Sequence, residues 1–355
     1  MSIFAKINQH DSRKDQQQIN RDKHTFRRLD DMPDFIQGYV QYILSLGYSH
    51  STIQRYIYDY VDFFNFVQRQ SDEEMFSSTA IKLNDFAQLN QQGIEHYVSF
   101  LAMELENEAK TINRKLSALQ SLFHYLIKQY GLSENPVLSV TRPKVKKREP
   151  IYLSIEEMKA IVNLALSEEG LSARQKKYHE LLRMRDYTAI MLLVRTGLRV
   201  SELASLEHAD IHFSHQEMRV LGKGNKQRTI PLSEEVLQVI RQYVDSLPVD
   251  VRPNQHDALL VGFDFRTMAY TPSIGVSALQ KMIQRLIDRA KMTIPSLANR
   301  TITAHKLRHS FATALIRNGV NVLTLQQLLG HESVATTQVY AHVDYEAKIK
   351  AIHSW

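Results

Sequence analysis

TAHKLRHSFA, residues 303–312, places His305, Arg308 and His309 at i, i+3 and i+4, on one face of a single helix that Thr303 is positioned to cap. Leu307 and Phe311 mark that helix as largely buried. A core histidine accounts for His309 in such a setting. It does not account for Arg308, because a buried guanidinium needs a buried anion beside it. Two histidines four apart also have the spacing of a zinc pair, but no Glu stands between them as in the HExxH pattern and the chain has no cysteine, so no metal site is expected.

Three further segments of the same half carry chemistry. In RTGLRVSEL, residues 195–203, Arg199 follows a Gly and stands three residues before Glu202, close enough for the carboxylate to fix the guanidinium fork. Taken alone, a surface ion pair explains that spacing equally well. GKGNKQRTIPL, residues 222–232, lifts Lys223 onto a Gly-rich turn but lacks the GxxxxGK[ST] spacing of a nucleotide-phosphate loop. LLGHESVATTQVY, residues 328–340, ends one helix at Gly330-His331 and runs on to Tyr340, one of sixteen tyrosines. Together, two arginines, a lysine, two histidines and a tyrosine suit transfer at a phosphodiester. Arginine forks neutralise a pentacoordinate phosphorus. A phenol of pKa ~10 attacks it once a base removes the proton, and an alkoxide leaving group needs an acid. No metal or other cofactor is required.

Composition sets the frame. The 355 residues suffice for two domains at roughly 150 residues each. The absence of cysteine excludes a disulfide scaffold, a thiolate metal site and a cysteine nucleophile. A formal charge of +6 is compatible with a polyanionic partner. No apolar run approaches ~20 residues, so a soluble, cytoplasmic protein without a membrane partner is expected.

The periodicity divides the chain. Residues 1–31, rich in Gln, Asp, Arg and Lys, are expected to form a mobile arm or a marginal helix. From Met32, Phe35, Tyr39, Tyr42, Ile43 and Leu46 recur at helical spacing, and Gly47 is a plausible stop. A second helix, capped by Ser51-Thr52, runs through Val67, and further helices are expected at 91–101 and 111–126. Residues 32–135 thus form an all-helical domain. Residues 136–150 are expected to be an extended, exposed linker, because TRPKVKKREP (141–150) holds two prolines and five basic residues. It reads either as a solvated connector or as a strip lying along a phosphate backbone. Residues 151–355 form the longer unit, with helices at 154–166, 183–196, 233–246, 275–291, 304–318 and 322–329. A hairpin, 218–221 with 227–232, spans GKGNK. The fold is mainly α with a small β-sheet.

The second unit resembles the catalytic domain of the tyrosine recombinases (phage-integrase-like), most closely the bacterial Xer-type enzymes. TGLRVSEL at 196–203, GKGNKQRTIPL at 222–232, HKLRHSFAT at 305–313 and LGHESVATTQVYAHV at 329–343 carry the resemblance in order and spacing. More weakly, STIQRYIYDYVDFFNFV at 51–67 and TINRKLSALQSLFHYL at 111–126 resemble the family's core-binding helices.

The resemblance implies that Arg199 and Arg308 hold the scissile phosphate and that Tyr340 attacks it, leaving a 3′-phosphotyrosyl link. Lys223 would protonate the leaving 5′-oxygen, His305 would act as acid and base, and His331 would bind a non-bridging oxygen. Glu202 and His309 would support them. It further implies a C-shaped clamp on double-stranded DNA at an inverted-repeat site, and a homotetramer joined through the C-terminal segment 344–355. Strand exchange through a Holliday junction and a cell-division DNA translocase as partner complete the expectation. Arg114, Lys115, Arg142, Lys144, Lys146 and Lys147 are the expected DNA contacts. The arm at 1–31 and an apparent insertion at 175–180 depart from the family pattern. Chromosome-dimer resolution, service to a mobile element, and a non-catalytic DNA-binding protein are the three readings that follow.

Overall fold

The computed structural model describes residues 26–71, 76–145, 151–222 and 226–330, and the chain divides into two compact units, 1–148 and 149–355. In the first, α1 (Asp34–Ser45) buries Phe35, Ile36, Tyr39, Val40 and Ile43 and ends before Gly47, whose φ of 78° terminates the helix. Helix α2 (His50–Gln70) is capped by Ser49, whose hydroxyl accepts from the Thr52 amide at 3.3 Å, so the cap stands just before the expected Ser51-Thr52 pair. The short α3 (Leu83–Phe86), then α4 (Gln91–Met103) and α5 (Ala109–Tyr130), complete the bundle. Its centre is aromatic: the Phe63 and Tyr97 rings meet edge-on at 5.1 Å, and Tyr60 donates to the Ala118 carbonyl at 2.9 Å.

Both edges of this unit differ from expectation. Within the presumed mobile arm, Phe26 and Leu29 are buried, and the Phe26 ring stacks on His50 at 5.2 Å. Two large apolar side chains three apart anchor residues 26–31 despite the charged residues around them. The expected linker begins late as well. Pro136–Ser139 forms a 3₁₀ turn against α4 and α5, and Val137 and Val140 are buried in the core.

In the second unit α6 (Ile155–Leu164) opens with a capping box between Ser154 and Glu157. Helix α7 (Ala173–Thr196) is the spine, packing on its neighbours with Ala189 to Leu193 all buried. It starts ten residues before the expected 183: Ser172 and Gln175 cap each other, so the apparent insertion at 175–180 is the exposed first part of this helix. Next come α8 (Val200–Ala204), β1 (Ile211–His212), β2 (Glu217–Leu221), β3 (Gln227–Pro231) and α9 (Glu234–Ser246). The strands form an antiparallel sheet in the order β1-β2-β3, with Met218 opposite Ile230 and Val220 opposite Arg228.

A second hairpin, β4 (Gly262–Asp264) with β5 (Ala269–Thr271), was not expected from the sequence. It depends on Gly262, where a Cβ would lie 2.1 Å from Thr271 Oγ1. Helices α10 (Val276–Thr293), α11 (Ala304–Arg317) and α12 (Val322–Leu329) follow. Thr303 occupies the N-cap of α11, but its side chain makes no capping hydrogen bond. No helix among the described residues is long and apolar enough to cross a membrane.

Candidate active site

Helix α7 ends at Gly197, in the left-handed region at φ 64°. A Cβ there would lie 2.3 Å from Phe311 Cδ1, so the absent side chain lets α7 close onto α11. The chain then turns directly into α8, whose N-cap is Arg199. Its amide donates to Glu202 Oε2 at 2.8 Å and its Nη1 to Oε1 at 2.7 Å. The Arg199 side chain is 38% exposed whereas that of Glu202 is 5% exposed, so a buried carboxylate steadies a cation that faces solvent.

Arg308, on α11, is buried, as the sequence required, and its surroundings supply the negative charge. Nη1 donates to the Gly197 carbonyl and Nη2 to the Leu329 carbonyl, each at 2.6 Å, and Nη1 lies 3.7 Å from Glu202 Oε2. Three elements are pinned by one guanidinium: the end of α7, the start of α8 and the end of α12. His305, one turn earlier on α11, is exposed, and His309 is half-buried. Arg199, His305 and Arg308 line a single cleft of about 450 Å³, walled on the other side by Gln280 and Gln284 of α10.

Sequence reasoning passed over Arg228. It shares the inward face of β3 with the buried Ile230. Its Nη1 and Nη2 donate to Glu202 Oε1 and Oε2 at 3.0 and 2.8 Å. The signal was present: in an alternating strand, an arginine on the apolar side calls for a buried anion. Three arginines therefore converge on Glu202. Burial pushes its carboxyl pKa up, but hydrogen bonds from Arg228 and the Arg199 amide outweigh burial and hold it below the usual range.

Lys223, His331 and Tyr340 lie outside the described residues, as do Lys146, Lys147 and the segment 344–355. Of the expected DNA contacts in the first unit, Lys115 is buried, its ammonium paired with Asp62 and 3.7 Å from Asp59 Oδ1. It ties α5 to α2 and is not presented to a ligand. Two acidic residues of α2, Asp59 and Asp62, stand opposite it. Arg114 also pairs with Asp59 but keeps its side chain 36% exposed. Arg142 is half-buried and donates to the Asn113 carbonyl, Ser117 Oγ and Gln120 Oε1 at 2.9, 3.0 and 2.6 Å. Lys144 is exposed. Among the described residues no three His, Asp or Glu side chains converge closely enough to hold a metal ion.

Residues 152–347 match the Phage integrase family, and residues 35–130 match its N-terminal SAM-like domain. The chain is 32% identical over 338 residues to the tyrosine recombinase XerC of Caldanaerobacter subterraneus subsp. tengcongensis, covering 92% of this chain and 88% of that protein. Among solved structures it is similar to XerH site-specific recombinase bound to a palindromic difH substrate in a post-cleavage complex. That match has a TM-score of 0.61 and 21% identity over 84% of this chain and 78% of the other. The Tn1549 transposon integrase in complex with circular intermediate DNA shares the fold too, with a TM-score of 0.61 and 21% identity over 90% and 99%.

Proposed function

Since the chain belongs to the phage integrase family of tyrosine recombinases, enzymes that cleave and rejoin DNA, we propose that this protein recombines DNA at a specific site through Tyr340. Arg199 and Arg308 bind the non-bridging oxygens of the scissile phosphate and neutralise the charge that builds on phosphorus. The phenolic oxygen of Tyr340 attacks and gives up its proton to His305. The 5′-oxygen leaves and takes a proton from Lys223. His331 donates to a non-bridging oxygen, Glu202 steadies Arg199, and His309 supports the cleft from α11. The phosphotyrosyl bond conserves the energy of the one broken, so a partner strand's 5′-hydroxyl reseals it without ATP. Neither a metal nor another cofactor takes part.

What carries this reading is the cleft itself: two arginines from different helices, both paired with one buried carboxylate, line it beside an exposed histidine. An inverted-repeat site bound by four copies, joined through 344–355, would exchange strands through a Holliday junction. Resolution of chromosome dimers in the cytoplasm, on the nucleoid and beside a cell-division DNA translocase, is the role we assign. The similarity to the XerC relative supports it.

The test is a duplex nicked near the cleavage point, which traps the covalent adduct. Wild type should trap DNA on the peptide that contains Tyr340, in the presence of a chelator. Tyr340→Phe should trap none while binding the same duplex. A chelator that stops trapping, or an adduct on another side chain, would overturn the assignment. Mapping the preferred site then tests the role: a single chromosomal site agrees with it, and sites at the ends of a mobile element refute it.

A further inference from the structure

Arg228 has no part in the reaction proposed above, yet all three of its guanidinium nitrogens are engaged in hydrogen bonds. Its Nη1 and Nη2 span both oxygens of Glu202, and its Nε donates to the Leu328 carbonyl at 2.8 Å, leaving the side chain 10% exposed. Leu328 is in the last turn of α12, and the next residue, Leu329, offers its carbonyl to Arg308. At Gly330, where φ is +62°, an added Cβ would lie 3.2 Å from both Cδ and Nη1 of Arg228. The backbone that leads to His331 thus crosses directly over this guanidinium. Strand β3 begins four residues after Lys223 in the sequence. One planar group therefore joins that strand, the carboxylate behind Arg199, and the end of the helix before His331.

We infer that Arg228 is a positioning residue for DNA cleavage. It locks the Glu202 carboxylate in the plane that orients Arg199, and it fixes the end of α12 against β3. It does not touch the substrate. A lysine would supply the charge but not the fork, since an ammonium is a point donor that cannot hold two carboxylate oxygens and a carbonyl in one plane. This inference rests on the reading of Arg199 as a phosphate-binding residue.

The test uses the full chain and a duplex nicked near the cleavage point, with DNA affinity and the single-turnover rate of covalent trapping measured separately. For both Arg228→Ala and Arg228→Lys we expect affinity within about twofold of wild type and trapping slower by about a hundredfold, the scale of a ~1 Å displacement of a catalytic group. Methylguanidinium should restore part of the rate to Arg228→Ala and nothing to Arg228→Lys. In combination with Glu202→Gln, Arg228→Ala should slow trapping little beyond the slower single variant, because the two act as a unit. If Arg228→Ala does not fold, Arg228→Lys decides by the same comparison of rate with affinity. Trapping at the wild-type rate, an equal loss of rate and affinity, or additive losses with Glu202→Gln would overturn the inference. A wild type that traps no DNA would instead refute the proposed function, which distinguishes the two failures.

Discussion

Glu202 is pulled in opposite directions by burial, which disfavours its charge, and by the guanidinium groups of Arg228 and Arg199, which require it. The charges prevail and its folded pKa lies below the unfolded value of ~4.3. The stabilisation this provides is therefore complete above that unfolded value and disappears as pH falls through the lower folded one. Glu202→Gln should lower stability at neutral pH by about 3–5 kcal/mol, the cost of leaving buried arginines without their anion. On acidification below about pH 4.3 its melting temperature should fall less than that of wild type, because one acid-labile contribution is already gone. A parallel acid dependence in the two proteins would show that Glu202 is not the group involved. Gly197→Ala tests the junction beneath it. The left-handed φ of 64° alone costs about 1–2 kcal/mol, and Phe311 must also give way. We expect a lower melting temperature together with slowed cleavage, because Gly197 leads from α7 into Arg199, the N-cap of α8, which meets Arg308 of α11 at the cleft. At this scale much was legible. The demand of Arg308 for a buried anion could be written down before any fold was known, since no apolar helix face tolerates a lone guanidinium. Arg228 carried a similar signal, in phase with the inward Ile230, but over a five-residue strand the alternation is brief and it was passed over.

Among elements, long helices announced themselves because a buried face must repeat every 3.6 residues. Helix α12 spans the expected 322–329, and α9 and α10 shift by no more than two residues at either end. The first part of α7 was missed because its residues 173–181 are exposed or half-buried, so no apolar period marks them, only the Ser172–Gln175 capping box. The β4–β5 hairpin was missed because its strands are three residues each, too short to show a period. Lys115 shows the other limit, since helix α5 alone does not reveal that Asp59 and Asp62 of α2 face it. Burial pushes the Asp59 carboxyl up in spite of Arg114 and Lys115, so this site is poorly solvated. Lys115→Ala should accordingly unfold more readily, by about 3 kcal/mol in urea titration, because it leaves Asp59 and Asp62 with one cation fewer. The DNA affinity of the folded fraction should be unchanged. A loss of affinity without loss of stability would return Lys115 to the DNA interface.

For the whole molecule the excess of six positive charges has meaning only through where it sits. The contact division between the two units falls between 148 and 149, inside TRPKVKKREP (141–150). The five cations of this stretch are not equivalent, however. Arg142 spends its guanidinium on three acceptors of α5, and the Asn113 side chain donates to the Pro143 carbonyl at 3.0 Å, so the start of this stretch is fastened to the first unit. Lys144 is exposed, and it opens the part of the stretch that also holds Lys146 and Lys147. If that part lies along a phosphate backbone, each lysine releases counterions on binding, and the logarithm of affinity falls with the logarithm of salt by about 0.9 per phosphate contact. Replacing Lys144, Lys146 and Lys147 together by Ala should weaken binding to specific and unrelated duplexes alike and lower the salt slope by about 2–3. Arg142→Ala should leave the slope nearly unchanged, because its charge is already engaged within the protein. It should instead lower the melting temperature and loosen the exit of the chain from α5, visible as faster amide exchange at 136–145. Equal salt slopes for the triple variant and wild type would mean that the basic stretch is a solvated connector. A full unit lost from the slope in Arg142→Ala would mean that its contacts to α5 open when DNA binds.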